Sequence, residues 1–415
     1  MIKNSKPKFF YGYIVVAACS LCMMLMWGIS YSFGVFFKPL LAEFGWTRAT
    51  TSSAYSLCML LTGSLSIIAG RLTDRFGPRV VITGCGILLG AGCILVSQVN
   101  AIWQLYLYYG VLMGAGLSGA VGPMMATVAR WFVKRRGMMT GITVSGLGMG
   151  TLVTPPVANW LISSYGWRMS YLIVGITILV TVTLVAQLVK RDPGQMGLLP
   201  YGSSEVKMNA SSLTPDGFSF RRAIKTRQLW LLCIASLFFG FSLQIMAVHI
   251  VPYATDQGIS AASAAILLSL IGGLGTLGRI ILGMCGDRIG NKLAYIVSFS
   301  LVSAALFWLL FSGELWMLYL FAIVFGFGYG GIASLVSPVT AEQFGLNSIG
   351  IILGVLLFSC ALGETTGPVV AGYIFDTSGS YMLAFLICAV LSSLGLVLIL
   401  LLKRVDSKKY AVSGD

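Results

Sequence analysis

The chain has 415 residues, is 57% hydrophobic and only 10% charged, and has a mean hydropathy of +0.90. A soluble protein of this length cannot cover so much apolar surface, which excludes that class and indicates a membrane-embedded one. The formal net charge of +14 would suit nucleic acid, but the positions of the charges account for it without a nucleic-acid partner.

Apolar runs long enough to cross a bilayer recur about twelve times. In chain order they are 12–37, 50–72, 80–99, 102–131, 137–162 and 169–190, then 228–253, 262–286, 292–312, 315–341, 347–375 and 380–403. The N-terminal stretch MIKNSKPKFFYGY carries no small-residue cleavage site, so the first span reads as a retained helix and not a signal peptide. Residues 191–227 are the one long hydrophilic interruption, with Pro, Gly, Ser and both charge signs. They read as a linker that divides the chain into an N-terminal six-helix half, 1–190, and a C-terminal one, 228–415. The 50 glycines suit closely packed membrane helices.

Lysine and arginine placement sets the expected orientation. With the N-terminus inside, the inner segments hold clusters such as Lys3, Lys6 and Lys8, Lys134, Arg135 and Arg136, and Lys408 and Lys409. Only Lys38, Arg48 and Arg168 fall in the outer loops, and Arg279 is the one basic residue left deep within a span, away from either end. The bias predicts cytoplasmic termini and a cytoplasmic linker in a multi-pass protein of the cell membrane. The sequon at Asn209 then falls on the cytoplasmic side, where it carries no meaning.

The two halves repeat each other. After the second span comes Gly70-x-x-x-Asp74-Arg75-x-Gly77-x-Arg79, and after the eighth comes Gly283-x-x-x-Asp287-Arg288-x-Gly290-x-Lys292. The glycines suit close packing and a tight turn. Each aspartate can sit at a helix end and pair with basic residues, locking one side of the bundle. A single copy could be an ordinary positive loop; two copies at equivalent places indicate an internal repeat and a gate.

Arg279 stands apart. If its helix leaves the membrane near Asp287, it lies roughly 12 Å inside at about 1.5 Å per residue. A guanidinium keeps its proton at that depth, and burying it uncompensated costs several kcal/mol. No acidic residue stands at i±3 or i±4 to pair with it. The expectation is a watery cavity visited by a small anion, against the alternative of a structural arginine.

The paired motifs, the spans and the central linker resemble the major facilitator superfamily. Tyr11-Gly12-Tyr13, Ser30 to Leu40 and Phe44-Gly45-Trp46-Thr47-Arg48, together with Arg130 to Gly146, are similar to the signatures of its monocarboxylate transporters. The oxalate/formate exchangers share similar stretches. The resemblance implies an all-α membrane bundle of two pseudo-symmetric six-helix halves around a central cavity. It also implies proton-linked transport of small monocarboxylates such as lactate or pyruvate, with Arg279 at the position that meets the carboxylate. The aspartate those carriers often have one turn earlier is Gly275 here, their first-span lysine has no counterpart, and the exchangers' second basic residue is replaced by an apolar one near Leu356. One cationic site instead of two points to a monoanion.

Further candidates are weighed against packing roles. His249, the sole histidine, has the ordinary pKa class for proton handling, or it is an amphipathic residue at the membrane interface. Glu364, mid-span, can cycle a proton, or it is a neutral carboxyl bonded to carbonyls opened by Pro368. Tyr329 matches an aromatic pocket position of the exchangers, with Tyr31 as its opposite number and Ser32 beside it as a weaker candidate; packing is the alternative for these. With 13 acidic residues, mostly in loops, and one histidine, no catalytic constellation and no metal or cofactor site is expected. Cysteines such as Cys19, Cys22 and Cys93 read as small buried apolar residues. Glycine runs such as Gly146-Leu147-Gly148 lie inside spans and serve packing, not phosphate binding. The reading is a secondary active transporter, working as a monomer in the lipid bilayer, that moves a proton with a small monocarboxylate. Anion exchange is the alternative, and a receptor or channel a more distant one.

Overall fold

The computed structural model describes residues 10–46, 48–203 and 218–403. Lys3, Lys6, Lys8, Lys207, Asn209, Arg404, Lys408 and Lys409 lie outside the described residues. The described chain is helical, with no β-strand and one isolated bridge, Phe132 to Tyr201. A helix satisfies its own backbone polar groups, which hydrocarbon cannot do, and this is why long apolar stretches adopt it.

Eleven helices among the described residues are long and apolar enough to cross a membrane. One of them, Arg136–Ala186, has 51 residues, which at about 1.5 Å per residue is more than twice a bilayer core. It is broken at Gly166, where φ is +77° and ψ 164°, and so supplies the fifth and sixth spans. The expected loop between these spans is thus a single residue. Gly77 (φ +87°) and Gly290 (φ +96°), between the second and third and the eighth and ninth spans, make turns of the same kind. Only glycine takes this backbone conformation without strain. The fourth span, Ile102–Trp131, is irregular: residues Tyr106–Met113 are π-helical, Gly114–Leu117 return to α-helix, and after a short break helix resumes at Gly122. Trp103, Trp230 and Trp316, near the starts of their spans, are exposed, as expected of interfacial anchors.

Glycine determines where the halves meet. A Cβ on Gly70 would meet the Gly350 backbone, one on Gly354 the Ser66 backbone, and ones on Gly137 and Gly283 each other's backbones. These contacts join the second span to the eleventh and the fifth to the eighth, all toward the end of the bundle that carries the repeated motifs. On the opposite portions of the same eighth and eleventh helices, Gly272, Gly273 and Gly372 have nothing within 4 Å of a Cβ position. The two halves are therefore packed backbone against backbone at the motif end, while these three glycines face open space.

Candidate functional site

The closure at the motif end is polar as well as steric. Asp74, at the end of the second span, accepts N–H groups from Gly350 (3.1 Å) and Ile351 (2.9 Å) at the start of the eleventh. Asp287, at the end of the eighth, accepts from Gly137 and Met138, both at 2.8 Å, at the start of the fifth. Each aspartate thus caps a helix N-terminus in the other half, where unsatisfied N–H groups and the helix dipole favour an anion. Arg130 adds an ion pair to Asp74 at 2.8 Å, and Arg191 donates to the Asp74 carbonyl at 2.7 Å. Among the other motif residues, Arg79 donates to the Gln187 carbonyl (2.7 Å) and Lys292 to that of Leu402 (2.6 Å). Both cations reach from the first turns of their own helices to carbonyls at the C-termini of neighbouring helices, where the dipole favours a cation. Arg75 stacks on Phe76, its neighbour, and Arg288 is exposed.

Between the halves lies a cavity of about 170 Å³, and Arg279 lines it. The residue is only 3% exposed. Its Nη2 donates to the Tyr329 hydroxyl, and the guanidinium stands 4.9 Å from that ring's centroid. Nε and Nη1 have no hydrogen-bond partner, and no carboxylate of the described residues forms an ion pair with Arg279. A buried guanidinium with two idle donors is costly unless an anion or water meets it.

Close helix packing holds this arginine. Gly330 of the tenth span approaches the Gly275 carbonyl and the Arg279 nitrogen, and Gly141 of the fifth approaches the Arg279 carbonyl. Gly148 lies beside Thr276 and the guanidinium, a Cβ there falling 3.0 Å from Nη1. Tyr329 fills the space against Gly275, where a Cβ would stand 2.5 Å from its Cε1. An aspartate at position 275 is thus incompatible with the tyrosine as placed. On its other side the ring stacks with Phe239 at 6.3 Å.

Of the residues singled out in the sequence, Arg279, Tyr329, Tyr31 and Glu364 line this one cavity. Glu364 Oε1 accepts from the Cys360 thiol at 3.6 Å, in place of the helix-carbonyl partners that Pro368 was expected to provide. Ser32 and His249 do not line the cavity. The Ser32 hydroxyl is buried and donates to the Gly28 carbonyl at 2.8 Å, one turn back in its own helix. Both His249 ring nitrogens are engaged nearer the far end, by the Pro368 carbonyl (3.1 Å) and the Tyr381 hydroxyl (3.3 Å). Sequence reasoning did not find Trp27, Phe239, Gly148 or Cys360 as neighbours of the site, since each resembles the many apolar or small residues around it. Cys19 and Cys22 have the Cys-x-x-Cys spacing of redox and metal motifs, but they are buried free thiols, and no metal-competent cluster occurs among the described residues.

Residues 16–291 and 276–414 match the profile of the Major Facilitator Superfamily. The chain belongs to that superfamily. Monocarboxylate transporter 12 of Mus musculus is 26% identical over 96% of this chain and 87% of its own. Monocarboxylate transporter 13 of Rattus norvegicus is 28% identical over 93% of this chain and 87% of its own. Among solved structures, the human organic anion transporter MFSD10 (TETRAN) superposes with a TM-score of 0.70 at 16% identity, covering 94% of this chain and 99% of that one. This superfamily member is a multi-pass membrane protein with the major facilitator fold, and its relatives are transporters, not enzymes.

Proposed function

We propose that this protein is a proton-coupled symporter of a small monocarboxylate of the lactate or pyruvate type, working by alternating access. The observation that carries the reading is the Arg279 guanidinium, buried on the cavity wall with Nε and Nη1 unpartnered and no protein carboxylate beside it. A carboxylate has two acceptor oxygens that match two parallel N–H donors, which a lysine cannot offer in a fixed fork. The names of the monocarboxylate transporters that resemble the chain agree with this cargo.

Glu364 shares the cavity and is our proton carrier. With substrate on Arg279, an ionised Glu364 would leave the cavity with an excess negative charge, which a proton removes. His249 takes no part in this proposal. The chain works as a monomer whose halves, 1–190 and 228–415, rock about the cavity. The termini and linker lie in the cytoplasm, which makes the arrangement closed at the motif end the outward-facing one.

Uptake of labelled lactate and pyruvate into proteoliposomes, with and without an inwardly directed proton gradient, tests this. Uphill accumulation driven by the gradient is expected. Accumulation driven only by a counter-anion, with no response to pH, would convert the reading to exchange, and passive equilibration would end it.

A further inference from the structure

We infer that residues 200–203, near the head of the linker, are a positioning strap for the gate; this rests on the alternating-access reading. Seated on the turn between the fourth and fifth spans, they hold Arg135 in the conformation that presents the Gly137 and Met138 N–H groups to Asp287.

Backbone strain marks the place. Arg135 has φ +63° and ψ 25°, and among the described residues it is the one non-glycine with positive φ. The turn after the tenth span, at the matching place in the other half, puts a glycine, Gly345, at its positive φ of +75°. A residue with a Cβ stays in the left-handed region only where its surroundings over-determine it. Arg135 is the N-cap of the fifth span, and both N–H groups that Asp287 accepts lie on the first turn it opens. Its backbone angle therefore aims the start of that helix at Asp287.

The linker supplies the constraint. The Tyr201 carbonyl accepts the Val133 (3.1 Å) and Lys134 (3.0 Å) N–H groups, and the Tyr201 N–H donates to the Trp131 carbonyl (3.0 Å). The Tyr201 ring lies 5.5 Å from that of Phe10, 6.1 Å from Tyr13 and 5.9 Å from Phe132. Gly202, at φ +83°, lets the segment lie against Lys134, since a Cβ there would stand 2.3 Å from the Lys134 Cβ. The strap thus fixes the chain that leads into Arg135. Closing the motif end requires the left-handed angle, and opening frees Asp287 from it. A seated strap holds that angle in both states, so closing carries no strain of its own; without the strap, only the open state can relax.

The test is electron–electron distance measurement between spin labels placed across the motif end of the full-length protein in lipid nanodiscs. Gly202→Ala and Tyr201→Ala unseat the strap, and neither residue lies in a span or lines the cavity. Both should populate longer distances, shifting the closed-to-open ratio by roughly 5–30-fold, the effect of one strained left-handed residue. Glycine takes this angle freely. In an Arg135→Gly background, Gly202→Ala should therefore leave the distances where Arg135→Gly alone puts them. Equal shifts in both backgrounds, or unchanged distances in both strap variants, would overturn the strap and leave alternating access standing. A parent confined to one distance at every pH and with every acid tried would overturn both.

Discussion

Asp74 accepts the Ile351 N–H at 2.9 Å, tying the last turn of the second span to the first turn of the eleventh. Asp287 makes the equivalent bond to Met138, at 2.8 Å, between the eighth and fifth spans. The repeated motif is therefore a pair of reciprocal caps, each half of the molecule supplying the anion for a helix N-terminus of the other. Closure at this end is held by two such caps, the glycine contacts beneath them and the bond from Arg130 to the Leu346 carbonyl (3.3 Å), all of which must part when the bundle opens, while the Arg130–Asp74 pair lies within the N-terminal half.

Asp74→Asn and Asp287→Asn each keep the shape and remove the charge. A charge at a helix N-terminus in a partly buried setting contributes about 1–2 kcal/mol, which shifts the closed-to-open ratio by roughly 5–30-fold. Spin labels across the motif end should report longer distances in both variants, with the larger change for Asp74→Asn because Arg130 also loses its partner. Unchanged distance distributions would show that the glycine packing alone sets the closure.

Arg279 separates a structural from a functional role by opposite effects on stability and transport. A buried guanidinium with two idle donors and no carboxylate beside it destabilises the fold, so Arg279→Met should match or exceed the parent in thermal stability, by about 1–4 kcal/mol. Monocarboxylate uptake should fall below detection. Arg279→Lys should also be strongly impaired, because the fork geometry is lost. A sharp drop in stability with uptake retained would identify Arg279 as a structural residue instead.

Gly275 and Tyr329 should behave as one unit. The ring stands where a side chain at position 275 would go, so Gly275→Ala should push it off Arg279 and raise the KM for the carboxylate about 10-fold, the loss expected for one charge-assisted hydrogen bond of about 1.5–3 kcal/mol. Tyr329→Phe should lower affinity by a similar factor through loss of the hydroxyl. The double substitution should cost clearly less than the sum of the two, as neighbours do. Additive losses would mean that the two act separately.

Glu364→Gln should remove the response of uptake to a proton gradient while leaving counter-anion exchange in place, because the substituted side chain is permanently neutral. Retained gradient-driven accumulation would move proton coupling elsewhere. His249→Gln should keep gradient-driven uptake, since both ring nitrogens are engaged outside the cavity.

The far end of the N-terminal half carries its own clamp. Glu43 accepts from Arg168 Nη2 at 2.7 Å and from Trp167 Nε1 at 2.6 Å, while Arg168 also holds the Ser97 carbonyl at 2.9 Å. The Arg168 and then the Trp167 hydrogen bonds hold the Glu43 carboxyl below its ordinary value. A depressed folded value means stability that is fully present above the unfolded carboxylate pKa and is lost as pH falls through the folded one. The melting temperature of the parent should therefore drop on acidification below the ordinary glutamate range, and Glu43→Gln should flatten that part of the profile. Added salt should weaken the effect because the pair is partly exposed. An identical acid limb in Glu43→Gln would show that the clamp does not contribute.

The sequence by itself determined the membrane class, the approximate spans, the internal repeat and the exceptional status of Arg279. All of these are local: an apolar run of sufficient length must be helical in lipid, and a cation within one is anomalous wherever the helix packs. It could also show that Gly275 departs from the related carriers, but not why; only the tertiary structure brings the Tyr329 ring, from the tenth span, into that space. The same applies to Glu364 and His249, which were equivalent as isolated titratable residues in apolar helices until packing turned one to the cavity and the other to Pro368 and Tyr381. The partners of Asp74 lie 276 and 277 residues away, and so distant a pairing is decided by how two halves dock, through backbone groups that every residue type carries and no sequence pattern marks.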